Sequence, residues 1–456
     1  MARYAFRSRR NKFMKTIKVI LLGCSLSVFA ASAASAVSLE ETLSQTLARN
    51  PALAAASSTY DARYKEQFVT LSDMLPQVTA FATETRSDTE VENYRTGVGM
   101  PNSGGDLDTD SYGLRVTQQL FTSGKNLNAF RSKRAEVKAE LAKLKSTEQQ
   151  IFLGAVAAHF DVIQSRSVLD LRQKNLDVLE KQLEAVQDRF SVGVGTRTDV
   201  AQSRAAVAGA KSAMLGAEAT LSGAEAVYRE LVGIKPAALE NPAKLPRLPV
   251  SLEKAIQTAR RENPDLKNAQ EMSKSGKYTS YSTVGSVLPQ INLTGQYSKT
   301  EDPLLISKGL ESEVTSLQMN VTVPIFLGGK SIAAISASQD ASDALKQNVH
   351  VASNTVEREV IIAWNNMQAT KSAINATQEQ IKASELALEG VRQENTLGMR
   401  TNLDVLNAEQ SLLNARVSLV QAERNQYLAA YNLLATTGHL TALRLRIKAA
   451  DIAKEE

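Results

Sequence analysis

Two stretches decide how this chain folds: Gly193 to Val200 reads GVGTRTDV, and Gly398 to Val405 reads GMRTNLDV. They stand 205 residues apart and share a glycine, a threonine three places on, and an aspartate-valine pair after three more. A glycine ends a helix, and Thr-x-x-Asp resembles the capping box that starts the next one. Each stretch therefore reads as a sharp reversal between two helices, and capping alone accounts for Thr196, Asp199, Thr401 and Asp404. Their recurrence says that the chain is duplicated.

The duplication extends outward from these turns. Ser38-Leu39-Glu40 matches Ser251-Leu252-Glu253, Asn50-Pro51 matches Asn263-Pro264, and Leu75-Pro76-Gln77 matches Leu288-Pro289-Gln290, all at a shift of 213. Beyond them the shift falls to 205: Phe121 with Phe326, Gly124-Lys125 with Gly329-Lys330, Gly233 with Gly438. The difference places a longer loop, between Arg86 and Ser111, in the first copy. The copies span 37–233 and 251–438, separated by a proline-rich linker at 234–250 and followed by a tail at 439–456.

Within each copy the periodicity changes twice. Residues 290–298 and 316–323 alternate strictly between apolar and polar; 77–85 and 112–118 do so more loosely. Strand pairs are expected at about 77–121 and 290–326, each strand roughly ten residues, the length of a tilted membrane strand. A soluble antiparallel sheet would alternate in the same way. Toward a membrane point a polar face almost free of charge and a loop from Asp88 to Asp110 rich in Asp, Asn, Gly and Thr. Four strands cannot close a barrel, and open edges are not tolerated in lipid, so such a chain would have to oligomerise.

Long helices are expected over 125–190 and 330–395, with return helices over 198–231 and 401–436. From Lys125 to Arg189 there is no proline and only Gly154 as a breaker, giving roughly 95 Å of helix. Leu169, Leu176, Leu183 and Phe190 recur every seven residues, with Leu179 and Val186 between them, and Ile374, Ile381 and Leu388 hold matching places in the second copy. A seven-residue repeat means helices packed along their length. The fold class is thus mainly α with a small β part, built from a duplicated strand-pair and long-helix unit.

Residues 1–36 read as a secretory signal: seven basic residues, an apolar run from Val19 to Ala31, and Ala34-Ser35-Ala36 before cleavage. A rival lipoprotein cue, Leu21-Leu22-Gly23-Cys24, leaves only four apolar residues after Lys18. The whole chain carries a net charge of +5, and loss of the leader takes it to −2, so the basic balance belongs to the signal and does not point to nucleic acid. Cys24 is the one cysteine, which leaves an exported chain without disulfide or thiolate metal site.

Several motifs carry no chemistry. Gly328-Gly329-Lys330-Ser331 imitates the end of a phosphate loop, but Pro324 stands where its first glycine belongs. Asp106-x-Asp108-x-Asp110 imitates a calcium loop but has Ser111 in place of Gly and Thr117 in place of the closing Glu, and a solvated surface loop is the better reading. His159, His350 and His439 are too scattered for a metal or a catalytic dyad, and Trp364 reads as a packing residue. No enzyme and no cofactor site emerge.

Asn-Pro near the start of each unit, Leu-Pro-Gln opening a strand, a strand exit at Phe-x-x-Gly-Lys, and the Gly-x-x-Thr-x-x-Asp-Val turn together resemble the TolC family of Gram-negative outer-membrane channels. The resemblance covers residues 38–438 and is to the family's type I secretion and drug-efflux group. It implies a homotrimer, with three times four strands closing one transmembrane β-barrel in outer-membrane lipid and a periplasmic helical tunnel continuing it. The tunnel tip would dock on a periplasmic adaptor (membrane fusion) protein coupled to an inner-membrane RND or ABC transporter. The resemblance places a cation-binding aspartate ring at Asp404 and a second ring position at Asn407, which halves the ring's formal charge. The linking arginine falls on Arg400 and its partners on Thr198 and Asp199; a tyrosine usual in the link is Asn395 here. The tip turns (Gly193, Gly195, Thr196, Arg197, Gly398, Thr401) are the implied adaptor contacts, and Arg197 is an additional charge without an assigned role. The competing expectation is a soluble periplasmic adaptor or coiled-coil scaffold.

Overall fold

The computed structural model describes residues 36–89, 105–242, 244–301, 310–445 and 447. The leader with Cys24, the crest of the loop after Asp88, and the tail beyond 447 lie outside the described residues. In chain order the elements are α1 (Leu39–Arg49), α2 (Pro51–Ser72), β1 (Gln77–Thr89), β2 (Gly105–Phe121), α3 (Lys125–Ser191), α4 (Arg197–Val232), α5 (Leu252–Glu262), α6 (Pro264–Ser286), β3 (Gln290–Glu301), β4 (Glu311–Thr322), α7 (Lys330–Thr396), α8 (Asn402–Thr436) and α9 (Ala442–Leu445).

α3 and α7 have 67 residues each, about 100 Å of unbroken helix. Both follow a glycine with left-handed φ, Gly124 and Gly329. α3 packs against α2, α4, α6 and α8, and α7 against α5, α6 and α8. The repeated Asn-Pro has a mechanical explanation. Asn50 Oδ1 accepts from the amides of Ala52 and Leu53 and so caps α2, while its Nδ2 donates to the Leu231 carbonyl at the end of α4. Asn263 does the same for α6, Asp265, Leu266 and the Thr436 carbonyl of α8. One side chain thus starts a helix and fastens the end of another, with Pro at N1, where a missing N–H is harmless.

The main core lies midway along the long helices, where Phe152, Val156, Phe160 and Val162 of α3 meet Leu43, Tyr228, Val232 and Leu440. A second cluster joins Ala255, Ala259 and Leu266 to Val356, Val360, Ala363 and Leu433. The duplication makes these comparable position by position. In the first copy Thr42, His159 and Tyr228 are buried and linked: Thr42 Oγ1 is 3.0 Å from His159 Nδ1 and 3.1 Å from Tyr228 Oη, and His159 Nε2 is 3.1 Å from the Glu240 carbonyl. Their equivalents are Ala255, Trp364 and Leu433, which hold the second copy together by apolar contact. The segment between the copies is tied down by Arg166, which donates to the carbonyls of Pro236 and Ala237 and pairs with Glu225.

The strands form one antiparallel sheet in the order β1-β2-β3-β4. They are longer than the sequence pattern implied, 12 to 17 residues. The ends of the expected Asp88–Asp110 loop belong to the sheet: Asp88 is paired with Asp106 and Arg86 with Asp108. The Asp106-Asp108-Asp110 triplet is accordingly part of β2 and not a surface loop. Loop-forming composition was overridden by pairing with β1.

The heptad stripe also needs one adjustment. Leu176, Leu179 and Val186 are buried, but Phe190 at the end of α3 is 41% exposed. Among the described residues no helix is long and apolar enough to cross a membrane.

Candidate functional site at the helical tip and the sheet

Both reversals are built alike. At the end of α3, Gly193 (φ 81°) donates to the Phe190 carbonyl, and Val194 and Gly195 donate to that of Arg189. At the end of α7, Gly398 (φ 77°) donates to Asn395 and Met399 to Glu394. The left-handed glycine turns the chain so that the orphan carbonyls of the last turn are satisfied. The next helix then opens with a capping box in both copies. The Asp199 amide donates to Thr196 Oγ1 at 3.1 Å while Thr196 N and Oγ1 donate to Asp199 Oδ2 at 3.2 and 2.6 Å. For Thr401 and Asp404 the matching distances are 3.2, 2.9 and 2.8 Å.

Hydrogen bonds from the Thr401 backbone and hydroxyl, helped by the charge of Arg400, hold the Asp404 carboxyl below its ordinary value. Asp404 is therefore an anion committed to its helix start. The Glu394 carboxylate in turn holds Arg400 above its ordinary value.

Thr198, Asp199, Asn395 and Arg400 line one cleft of about 450 Å³ between the two turns, together with Arg189 and Asn402. Within the chain Arg400 does not reach Thr198 or Asp199. Its Nε donates instead to Glu394 Oε2 at 2.8 Å, six residues back across the turn. Asn395 donates from Nδ2 to the Arg400 carbonyl at 2.9 Å, bracing the turn from inside. Arg197 and Asn407 are exposed on the surface, and Arg197 has no ion pair among the described residues.

Three polar contacts beside the cleft were not singled out from sequence. Gln182 Nε2 donates to Asn402 Oδ1 at 3.0 Å, and Asn402 Nδ2 donates to buried Ser203 Oγ at 2.9 Å, so α3, α8 and α4 are joined in series. Arg392 donates to Glu409, joining α7 to α8. The signal was Gln182 itself, a polar residue set between Leu179 and Val186 on the buried stripe. No cluster of His, Cys, Asp or Glu among the described residues could hold a metal.

At the other end, strand register sorts the sheet into two faces. One carries Val78, Ala80 and Ala82; Tyr112, Leu114 and Val116; Ile291, Leu293 and Tyr297; Leu317, Met319 and Val321, brought side by side by the pairings Val78↔Val116, Leu114↔Tyr297 and Leu293↔Met319. The opposite face carries Gln77, Thr79, Thr117, Gln119, Asn292, Thr294, Gln296, Ser316, Gln318 and Asn320. An exposed apolar face this wide, backed by polar residues with Arg115 as their one charge among the described residues, is the pattern of a transmembrane strand set.

Comparison with known proteins identifies the family. The model of the "Outer membrane efflux protein" family matches residues 42–233 and 255–439, one match per copy. The chain belongs to this family. It is 31% identical over 381 residues to the outer membrane efflux protein BepC of Brucella suis biovar 1 (strain 1330), covering 84% of this chain and 81% of that one. With the outer membrane protein TolC of Escherichia coli (strain K12) it shares 25% over 443 residues, 94% of this chain and 87% of the other. The Campylobacter jejuni CmeC outer membrane channel has the same fold, with a TM-score of 0.79 at 15% identity over 96% of this chain and 98% of that one. Membership in the outer membrane efflux proteins places the chain in the outer membrane of a Gram-negative bacterium and sets aside the soluble adaptor or scaffold. The family is one of transport channels.

Proposed function

We propose that this outer membrane efflux protein is the exit duct of a tripartite export machine, carrying drugs, secreted polypeptides or both. Three copies close a twelve-stranded barrel, and their α3/α4 and α7/α8 pairs continue it as a tunnel into the periplasm. The observation that carries this reading is the sheet: an apolar face for lipid, a polar face for a water-filled lumen, and outer strands β1 and β4 with one ladder partner each. In lipid those outer strands must pair, and β4 of one copy with β1 of the next satisfies both.

The tunnel narrows at the capping boxes. Three Asp404 carboxylates near one axis attract cations and raise each other's pKa against the lowering imposed by Thr401. Asn407 supplies the next, uncharged ring. Arg400, Asn395, Thr198 and Asp199 line the adjacent cleft, and Arg400 exchanges Glu394 for Thr198 and Asp199 as neighbouring turns close. Exposed links of this kind are individually weak, which suits a closure that a partner has to undo. That partner is a periplasmic adaptor contacting Gly193, Gly195, Thr196, Arg197, Gly398 and Thr401, coupled to an RND or ABC transporter.

Single-channel recording of the purified protein tests the assignment. The wild type gives a small conductance, blocked by divalent cations from the tip side; Asp404→Ala weakens the block, and Arg400→Ser raises the conductance. Unchanged currents in both variants would remove the gate from these residues, and a protein that is extracted by carbonate and lacks an SDS-resistant trimer would remove the duct.

A further inference from the structure

The polar face of the sheet is not uniformly neutral. Among the described residues on it, threonine, serine, asparagine and glutamine predominate, and Arg115 is the single charged side chain. It stands inside the depth of the apolar band, on the side of β2 opposite Leu114 and Val116, with Thr79 and Gln296 as its neighbours in register. No carboxylate on the same face balances it.

The surroundings of Arg115 are built to hold it in place. Its Nε donates to Gln296 Oε1 at 3.1 Å, and its Cζ lies 5.3 Å from the centroid of the Phe81 ring. Phe81 can take that position because its partner in register is Gly113, where a Cβ would come within 3.0 Å of Phe81 Cζ and 2.1 Å of the Tyr297 carbonyl oxygen. The guanidinium is thus held at the wall by its Nε and by the ring. Its two terminal nitrogens have no hydrogen bond among the described residues. A guanidinium fork held in this way, with its donors unused, matches the oxygens of a carboxylate, sulfate or phosphate.

We propose that Arg115 forms an anion-attracting ring on the lumen wall of the barrel, a site for carboxylate-, sulfate- or phosphate-bearing cargo beyond the cation-binding tip. This rests on the reading that the polar face lines a lumen. Twelve strands about 4.8 Å apart and tilted by about 40° give a backbone radius of roughly 12 Å. The Debye length is about 10 Å at 0.1 M salt. Three guanidinium groups on such a wall therefore reach the axis, and no ion or charged solute passes outside their field. Cargo leaving the tip meets a positive field within the membrane after a negative one at Asp404, so an amphoteric solute finds an attractive site at each end of the duct.

The test uses Ser316→Cys as a reporter, since Ser316 is the register partner of Gln296 and shares the polar face. Its reaction rates with two small water-soluble thiosulfonates, one anionic and one cationic, are compared in assembled protein carrying Arg115, Arg115→Gln or Arg115→Lys. Across two strand spacings the nearest Arg115 alone changes the anionic-to-cationic rate ratio roughly threefold at about 10 mM salt. The ratio falls by that factor in Arg115→Gln and stays within about twofold in Arg115→Lys. Equal ratios with and without the charge overturn the proposal. Should Arg115→Gln not assemble, the ratio with Arg115 must still decline as salt is raised, and a salt-independent ratio overturns it as well. A reporter at 316 that resists both reagents while Leu317→Cys reacts means instead that the faces are assigned the wrong way round, and the duct reading fails with it.

Discussion

Replacing Thr42 by valine removes one hydroxyl and almost no volume, from the point where α1, α3 and α4 meet. That hydroxyl is 3.0 Å from His159 Nδ1 and 3.1 Å from Tyr228 Oη, and all three residues are fully buried. With valine, the imidazole nitrogen and the phenol each lose this partner where water cannot replace it. At about 1–3 kcal/mol for each of the two buried groups left unsatisfied, the loss is roughly 2–6 kcal/mol, set against the small gain of a buried methyl. Thr42→Ser keeps the hydroxyl and loses only that methyl, about 1 kcal/mol. Hydrogen exchange followed by mass spectrometry over 152–163 and 224–232 reads the difference locally, and denaturant midpoints read it globally. Thr42→Val should raise local opening by one to two orders of magnitude more than Thr42→Ser. Indistinguishable exchange in the two variants would refute the view that the hydroxyl, and not packing, holds this region.

Two further outcomes follow from the same core. Burial holds the imidazoles of His159 and His439 below their ordinary value, so both fold neutral and the unfolded chain binds more protons as pH falls; full stability is present above about pH 6.5 and is lost as pH drops through the lowered folded values, and His159→Gln should flatten that dependence in melts between pH 7 and 5. Asn263→Ala should cost about 1–2 kcal/mol by uncapping α6 and freeing the Thr436 carbonyl, whereas Asn263→Ser keeps a capping oxygen and should cost less, a ranking that thermal melts can order.

The mainly helical fold class was legible because its signals are local. Each glycine at a reversal, each Thr-x-x-Asp and the Asn-Pro pair act within a few residues of themselves, and duplication printed each of them twice. The alternation of β3 and β4 was plain for the same reason. The start of β2 was hidden, since Asp106, Asp108 and Asp110 look like a solvated loop and become strand only through pairing with β1. At the tip, sequence located the turn residues but not their partners. The bond from Arg400 to Glu394, six residues away, depends on side-chain direction, and the series Gln182, Asn402 and Ser203 joins helices more than 190 residues apart. The Thr42, His159 and Tyr228 cluster left a trace, three polar residues aligned with Ala255, Trp364 and Leu433, but an alignment of two copies does not say that the three touch.

The two outer strands of the sheet also constrain how the protein is made. A single chain in lipid would leave one side of β1 and one side of β4 without hydrogen-bond partners along their whole length, at several kcal/mol for each group. On the proposed closure of one barrel by several copies, entry into the membrane and association of the copies become one event, and a lone chain has to wait in water with its apolar face covered. The rate of maturation should rise more steeply than linearly with the supply of new chains.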